Sequence, residues 1–132
     1  MCIVGRLGGS VVGVVDVRDY VGDVLEGAAV LLERDGWLQG RTFQTDVFAD
    51  GSYVVVGRDV LGAIREAAFE VPALEVWDDQ RVAFELAEWR LAEFLGLAKS
   101  RFELRTSDFF DWNDADGRTA EDVVAALRGA AQ

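Results

Sequence analysis

The amino-acid sequence predicts an α+β fold. About four helices surround an apolar central helix, residues 79–95, beside a small antiparallel sheet that includes a hairpin over 42–56. Stretches in which apolar residues recur every three or four positions predict the helices, and short β-branched and aromatic runs around a turn predict the sheet. A length of 132 residues and a hydrophobic fraction of 51% are typical of a single packed domain, residues 1–132.

The first seventeen residues are rich in valine and glycine. Because valine favours extended structure and glycine disfavours helix, residues 1–17 are predicted to form a β-rich arm or strand pair, with Gly8-Gly9 as the turn. Such an arm can also pair with a second copy, so a homodimer through residues 1–17 is one expectation. The segment lacks the Ala-x-Ala cleavage site of a signal peptide, and we therefore expect a cytoplasmic location.

The next two elements are a helix and a hairpin. Apolar residues at helical spacing predict a helix from Asp19, the expected N-cap, to Arg34, followed by Gly36 at the C′ position. In the predicted hairpin, Asp50-Gly51 is suited to a tight type I′ turn. Phe43 and Val47 share a strand face that we expect to be half-buried.

Two further helices are predicted in the middle of the chain. The first runs from Asp59 to Phe69 and ends before Val71-Pro72, because the residue before proline avoids the helical region. The second begins at Asp78 or Asp79 and continues to about Leu95. Apolar side chains cover most of its circumference, so it is expected to be surrounded by the core.

The C-terminal third is predicted to contain a strand, an aromatic turn and a capped helix. Residues 101–106 alternate charged and apolar side chains, as a short strand does. Phe109, Phe110 and Trp112 are predicted to lead into a turn at Asp114-Ala115-Asp116-Gly117, where the aspartates and the glycine are typical turn residues. Thr119 and Asp122 have the spacing of a capping box, which predicts the start of the final helix.

Charge and composition exclude several kinds of function. The formal net charge of −11 opposes direct binding of DNA or RNA, because affinity for phosphates depends on Lys and Arg. We expect instead a protein partner with a basic surface. The absence of histidine, together with a single cysteine, excludes the usual zinc sites. No familiar nucleotide-binding loop is present, and no metal, other cofactor or membrane partner is expected.

The strongest local charge lies in residues 103–122, where seven acids stand against Arg105 and Arg118. The acids superficially resemble a calcium loop, but Val123 occupies the position of the closing glutamate, so turn and capping roles are favoured. The residues expected to bind a partner are Trp37, Asp108, Asp111, Trp112, Asp114 and Asp116. A specific version of this hypothesis is an inhibitor that imitates the phosphate array of a nucleic acid.

An enzymatic alternative depends on Cys2 or on the carboxylates of residues 111–116. The start Met-Cys-Ile-Val-Gly resembles that of class II glutamine amidotransferases, in which an N-terminal cysteine is the nucleophile and its own amine the base. The glycine that follows the cysteine in that family is missing here. A small apolar residue in a strand is the interpretation we favour, and no catalytic residue is assigned.

Four short motifs resemble those of an uncharacterised domain-of-unknown-function family of short proteins from GC-rich Gram-positive bacteria and their phages. They are Gly36-Trp37-Leu38-Gln39-Gly40, Gly62-Ala63-Ile64, Trp112-Asn113-Asp114 and Gly117-Arg118-Thr119. The resemblance covers roughly residues 20–130 and implies a phage or prophage accessory protein without an assigned activity. With the acidic surface, it leads us to expect a non-enzymatic protein-interaction module.

Overall fold

The computed structural model describes the backbone of residues 2–7 and 10–132 and the side chains of residues 15–132. It confirms the α+β class. The predicted Gly8-Gly9 turn and the side chain of Cys2 lie outside the described residues. The elements are β1 (Cys2–Leu7), β2 (Ser10–Asp16), α1 (Val21–Asp35), β3 (Phe43–Val47), β4 (Tyr53–Arg58), α2 (Val60–Phe69), α3 (Trp77–Leu95), α4 (Thr106–Asn113) and α5 (Ala120–Ala131).

The strands form two separate antiparallel pairs. In the first pair, β1 lies against β2 with Ile3 opposite Val15. The second pair joins β3 to β4, with Val47 opposite Tyr53. The two pairs do not join into one sheet in the described part of the chain. No helix there is long and apolar enough to cross a membrane.

The core is organised around α1, and the prediction that residues 79–95 form the central helix is wrong. Helix α1 packs against α2, α3 and α5. Seven of its 15 residues are buried: Val21, Val24, Leu25, Ala28, Ala29, Leu31 and Leu32. Helix α3 buries a narrower set, Asp79, Ala83, Ala87, Leu91 and Ala92. Its larger apolar side chains lie at the margin of the core, and Phe94 is 55% exposed.

Most predicted helix ends are confirmed. The side chain of Asp59 accepts a hydrogen bond from the amide of Gly62 at 2.7 Å, which caps α2. Thr119 and Asp122 form the predicted capping box, with distances of 3.1 and 3.0 Å. Gly36 and Gly96 both have positive φ at the ends of their helices. The first turns of α2 and α5 therefore each have a backbone amide satisfied by the predicted cap, and α1 and α3 each end at the predicted glycine.

Two predicted caps are wrong. Asp19 lies within a 3₁₀ turn, Val17–Tyr20, whose cap is Asp16, and α1 begins only after that turn. Helix α3 begins at Trp77 without a side-chain cap, so Asp78 and Asp79 lie inside its first turn. There their negative charges still interact favourably with the positive end of the helix dipole.

The β3–β4 hairpin is present, but its turn and exposure differ from the prediction. Gly51 has φ of 88° and donates its amide to the carbonyl of Phe48 at 3.0 Å. Asp50 does not have positive φ, so the turn is not type I′. Phe43 and Val47 are 58% and 70% exposed, not half-buried. The reason is tertiary, because α2 approaches Phe43 only across an open groove and leaves these side chains exposed.

Residues 101–106 do not form the predicted strand. They end a loop in which the side chain of Phe102 is fully exposed. The aromatic residues predicted to lead into a turn belong instead to α4, which ends at Asn113. The turn at 114–117 is confirmed, with Gly117 at φ of 81° and a hydrogen bond of 3.1 Å from the amide of Arg118 to the carbonyl of Ala115. The carboxylate of Asp108 accepts a hydrogen bond from the amide of Arg105 at 2.8 Å, which begins the helix. Helical spacing then directs Phe109 into the core.

Candidate functional site

The segment 36–40 meets the end of α4, although more than seventy residues separate them in sequence. The indole N–H of Trp37 donates to Oδ1 of Asn113 at 2.7 Å. The amide of Asn113 in turn donates to the carbonyl of Leu38 at 2.9 Å. The Gly-Trp-Leu-Gln-Gly and Trp-Asn-Asp motifs are therefore two halves of one junction.

Asn113 is the centre of this junction and is fully buried. Its Oδ1 also accepts from the backbone amide of Val60, the first residue of α2, at 3.0 Å. Its Nδ2 donates a second hydrogen bond to Oδ1 of Asp114 at 2.9 Å. Both donors and both acceptor positions of the amide are thus used. We did not predict Asn113 as a site residue, although its place in the Trp-Asn-Asp motif was a signal.

Asp114 fixes the opposite side of the same junction. Its Oδ1 accepts from the backbone amide of Gly40 at 2.9 Å. Gly40 has φ of 81°, a conformation that glycine adopts at little cost. Gln39 completes the contact by donating to the carbonyls of Asn113 and Ala115, both at 3.2 Å. The predicted binding residue Asp114 therefore has a structural role.

Trp112 is half-buried and carries an arginine on its ring. The guanidinium carbon of Arg118 lies 4.3 Å from the ring centroid, within the range of a cation–π interaction. Nε of the same arginine donates to the carbonyl of Trp112 at 3.0 Å. Gly117, at φ of 81°, allows the chain to turn back for these contacts. The Trp-Asn-Asp and Gly-Arg-Thr motifs are joined in this way.

Asp59 lies close to the junction and is almost completely buried. Burial raises the pKa of its carboxyl to about 6. The amide of Gly62 opposes this shift, whereas the charge of Asp114 adds to it. The carboxyl can therefore take up a proton near pH 6 while it continues to cap α2. The sequence predicted Asp59 as the start of a helix. It did not predict the raised pKa of this carboxyl, because the local sequence pattern does not show that Asp59 is buried.

Arg58 attaches the base of the hairpin to the core and is 3% exposed. Its guanidinium donates to Asp35 at 2.7 Å and to Glu66. Its backbone pairs with Gly36 and Leu38 through hydrogen bonds of 3.2 and 2.9 Å. Asp35 also accepts a hydrogen bond from Arg34. The two arginines, of which Arg34 has the larger effect, lower the pKa of Asp35 to about 2. This ion-pair group holds β4 beside the end of α1.

The acids of residues 103–122 divide into two groups. Asp108, Asp114 and Asp122 accept hydrogen bonds from backbone amides, so they stabilise local structure. The other side chains are exposed and form no hydrogen bond or ion pair within residues 15–132: Glu103, Asp111, Asp116 and Glu121. We call these four residues the acidic surface. Of the acids predicted to bind, only Asp111 and Asp116 belong to it.

The described residues contain no group of three or more potential metal-binding side chains. A small cavity of about 230 Å³ between α3 and the start of α4 does contain a perturbed carboxyl. It is lined in part by Glu85, Glu88, Arg101 and Phe109. Burial and the charge of Glu85 raise the pKa of Glu88 to about 7, so this carboxyl is partly protonated at neutral pH. Neither Cys2 nor the carboxylates of residues 111–116, on which the enzymatic alternative depends, line this cavity.

Comparison with known proteins identifies the family. A model for a family of unknown function, DUF6197, matches residues 17–132, which include the whole junction around Asn113. The chain belongs to DUF6197. The predicted resemblance to an uncharacterised family is thereby confirmed, and the arm formed by β1 and β2 lies outside the match. Comparisons with curated proteins and with solved structures find no match.

Proposed function

We propose that this DUF6197 protein is a non-enzymatic interaction module that binds another protein with a basic surface, through the acidic surface of Glu103, Asp111, Asp116 and Glu121. The observation that carries the proposal is that these four carboxylates are exposed and without partners in the described structure. The neighbouring acids have structural roles, and the adjacent Arg118 is held on Trp112 and forms no ion pair with these carboxylates in the described structure.

The charge of the whole protein supports the same partner chemistry. Residues 15–132 carry twelve basic and 24 acidic side chains, since Arg6 is the only charged residue before Asp16. A net charge of this sign steers basic proteins toward the surface and accelerates their association. It also repels nucleic acid, so a direct complex with DNA or RNA is disfavoured.

The surroundings of the acidic surface suit a protein contact. Phe110, next to Asp111, is 37% exposed at the surface of α4. Trp112 and Arg118 follow on the same segment, and aromatic residues and arginine are enriched in protein interfaces. Burial of such side chains would add affinity to the long-range attraction of the carboxylates. Imitation of a nucleic acid is the specific version of this proposal, in which the partner is a DNA-binding protein.

The proposal is tested by capture from a lysate of the source organism at about 50 mM and about 500 mM salt, below and above the concentration at which surface charges are screened. The captured basic protein is then titrated against the Asp111→Asn/Asp116→Asn double variant. Asp19→Asn/Asp23→Asn is the matched control, because both of its acids are exposed and it changes the charge equally.

We expect salt-sensitive capture and roughly tenfold weaker binding of the first variant, with little change for the control. Equal binding by the two variants, or capture of no basic protein at low salt, would refute the proposal. If duplex DNA competes for the captured protein, the partner is a DNA-binding protein and the mimicry version is supported.

A further inference from the structure

One face of the β3–β4 hairpin is apolar and uncovered. Val47 lies opposite Tyr53, and Thr45 lies opposite Val55. Because side chains alternate along a strand, these residues share a face with Phe43. Phe43, Val47 and Tyr53 are 58%, 70% and 69% exposed. Together with Phe69 of α2, these three side chains form what we call the open hairpin face.

Helix α2 supports only one end of this face. A groove of about 390 Å³ lies between the hairpin and α2, with Phe43 and Tyr53 on one wall and Phe69 on the other. The buried Arg58 and its partner Glu66 line the same groove. Beyond the groove, the side chains at the outer end of the hairpin are exposed, among them Val47 and Phe48. An isolated two-stranded hairpin is only marginally stable in water, so a covering surface would stabilise it.

The area of the open hairpin face matches the requirement of a dimer. An aromatic side chain presents about 150–250 Å². The three partly exposed aromatic side chains and the smaller Val47 together offer on the order of 500 Å² of apolar surface. A stable interface buries about 800 Å² on each partner, and homodimer interfaces are about 65% apolar. One copy of the open hairpin face therefore supplies about the apolar share that each subunit of a homodimer buries.

The charge of the groove also favours a second copy over a basic partner. The charged residues of its lining are Arg58, Arg65 and Glu66, and Arg58 is paired with both Asp35 and Glu66. The groove therefore carries little net charge, although the protein has a net charge of −11. A basic protein would find no excess of carboxylates here. A second copy would bring the same apolar, weakly charged face, as an interface with two-fold symmetry requires.

We propose that two copies of this chain associate through their open hairpin faces. In this dimer, the open hairpin face of one copy covers that of the other, so that both copies bury Phe43, Val47, Tyr53 and Phe69. The contact is distinct from the acidic surface and also from the arm of residues 1–17. It packs the two hairpins face to face and encloses the groove beside α2. The hairpin tip, unsupported in one copy, thereby becomes part of a larger apolar layer.

The test is sedimentation velocity of the full chain at about 50 μM, since dimer stability depends on protomer concentration. We expect a mass of twice the 14.5 kDa of one chain. Val47→Asp and Tyr53→Asp are each expected to weaken dimerisation roughly tenfold or more, because each buries an unpaired carboxylate in the contact. Phe102→Asp is the matched control, since Phe102 is fully exposed in the loop before α4.

Salt separates this proposal from the previous one. Dimerisation should persist or strengthen at about 500 mM salt, because the repulsion between two acidic copies is screened. Binding of a basic partner to the acidic surface should weaken under the same conditions. A monomeric chain at both salt concentrations refutes the dimer without affecting the proposal for the acidic surface.

Two further variants separate the loss of the dimer from a loss of folding and from a contact through the arm of residues 1–17. Tyr53→Ser, a milder change, is measured beside Tyr53→Asp, and circular dichroism verifies that each variant is folded. Folded hairpin variants that remain dimeric overturn the proposal. If the dimer is instead lost in Val14→Asp, the contact belongs to the arm of residues 1–17, and the open hairpin face is excluded as the dimer interface.

Discussion

Replacement of Asn113 by alanine should destabilise the protein strongly, although the side chain contacts no ligand. The asparagine amide joins segment 36–40, the start of α2 and the end of α4 through four hydrogen bonds. Alanine leaves the indole N–H of Trp37, the amide of Val60 and the carbonyl of Leu38 without that partner. A cavity the size of the amide also remains.

The size of the effect follows from these unpaired groups. A buried donor or acceptor without a partner costs about 1–3 kcal/mol. The amide of Val60 is the most deeply buried of the three, whereas Trp37 and Leu38 are half-buried and water can reach them more easily. We therefore expect Asn113→Ala to lower the free energy of unfolding by about 3–5 kcal/mol. Domains of this size are stable by only about 5–15 kcal/mol, so this loss is a large fraction.

Urea unfolding followed by circular dichroism measures the effect. Gln39→Ala is the control, because this exposed side chain donates two hydrogen bonds of 3.2 Å to the same junction. Its loss should cost less than about 1 kcal/mol, since water replaces the partners. A loss of less than about 1 kcal/mol for Asn113→Ala, or one no greater than that of Gln39→Ala, would refute the assigned role of Asn113.

Three further predictions concern the helix starts. Since burial raises the pKa of Asp59 from 3.8 to about 6, the folded state holds its proton more tightly, and stability should fall as pH rises from about 4 to 6. Asp59→Asn keeps the oxygen that caps α2, so it should remove this dependence on pH and raise the free energy of unfolding by up to about 3 kcal/mol at pH 7. If the free energy of unfolding of the variant still falls over this pH range, the prediction is contradicted. Gly62→Ala should lower the free energy of unfolding in urea by about 2 kcal/mol or more, because its Cβ would lie 2.6 Å from the carbonyl oxygen of Thr42. An unchanged stability would show that the backbone around Thr42 can move to accept the methyl group. Thr119→Ala should lower the thermal midpoint by an amount equivalent to about 1 kcal/mol, because the hydrogen bond from the amide of Asp122 to the Thr119 hydroxyl is lost. A larger loss of stability would mean that Thr119 does more than cap α5.

Elements with strong local signals were predictable from the sequence. The capping box of Thr119 and Asp122 determines where α5 begins, because both hydrogen bonds span only three residues. The hairpin around Gly51 and the end of α1 at Gly36 depend likewise on backbone conformations that glycine tolerates. These features require no knowledge of distant contacts.

Exposure was not predictable in the same way. Apolar residues on α3 and on the open hairpin face have the spacing of buried positions, but Phe94, Val47 and Tyr53 are exposed. Whether such a side chain is covered depends on which elements pack beside it, and periodicity contains no information about that. The strand predicted at 101–106 failed for a related reason, since alternation over six residues also fits a loop that leads into a helix.

The candidate site shows the same division. The sequence alone determined the family motifs and the large negative charge, and both can be read without a structure. Only the tertiary structure decided their roles: Asn113 became the buried centre of the junction, Asp108 and Asp114 became structural, and Asp111 and Asp116 stayed free. The physical reason is that a hydrogen bond between Trp37 and Asn113 spans 76 residues, so no local pattern specifies it. The chain has to fold before its carboxylates divide into those that hold the structure and those that can bind a partner.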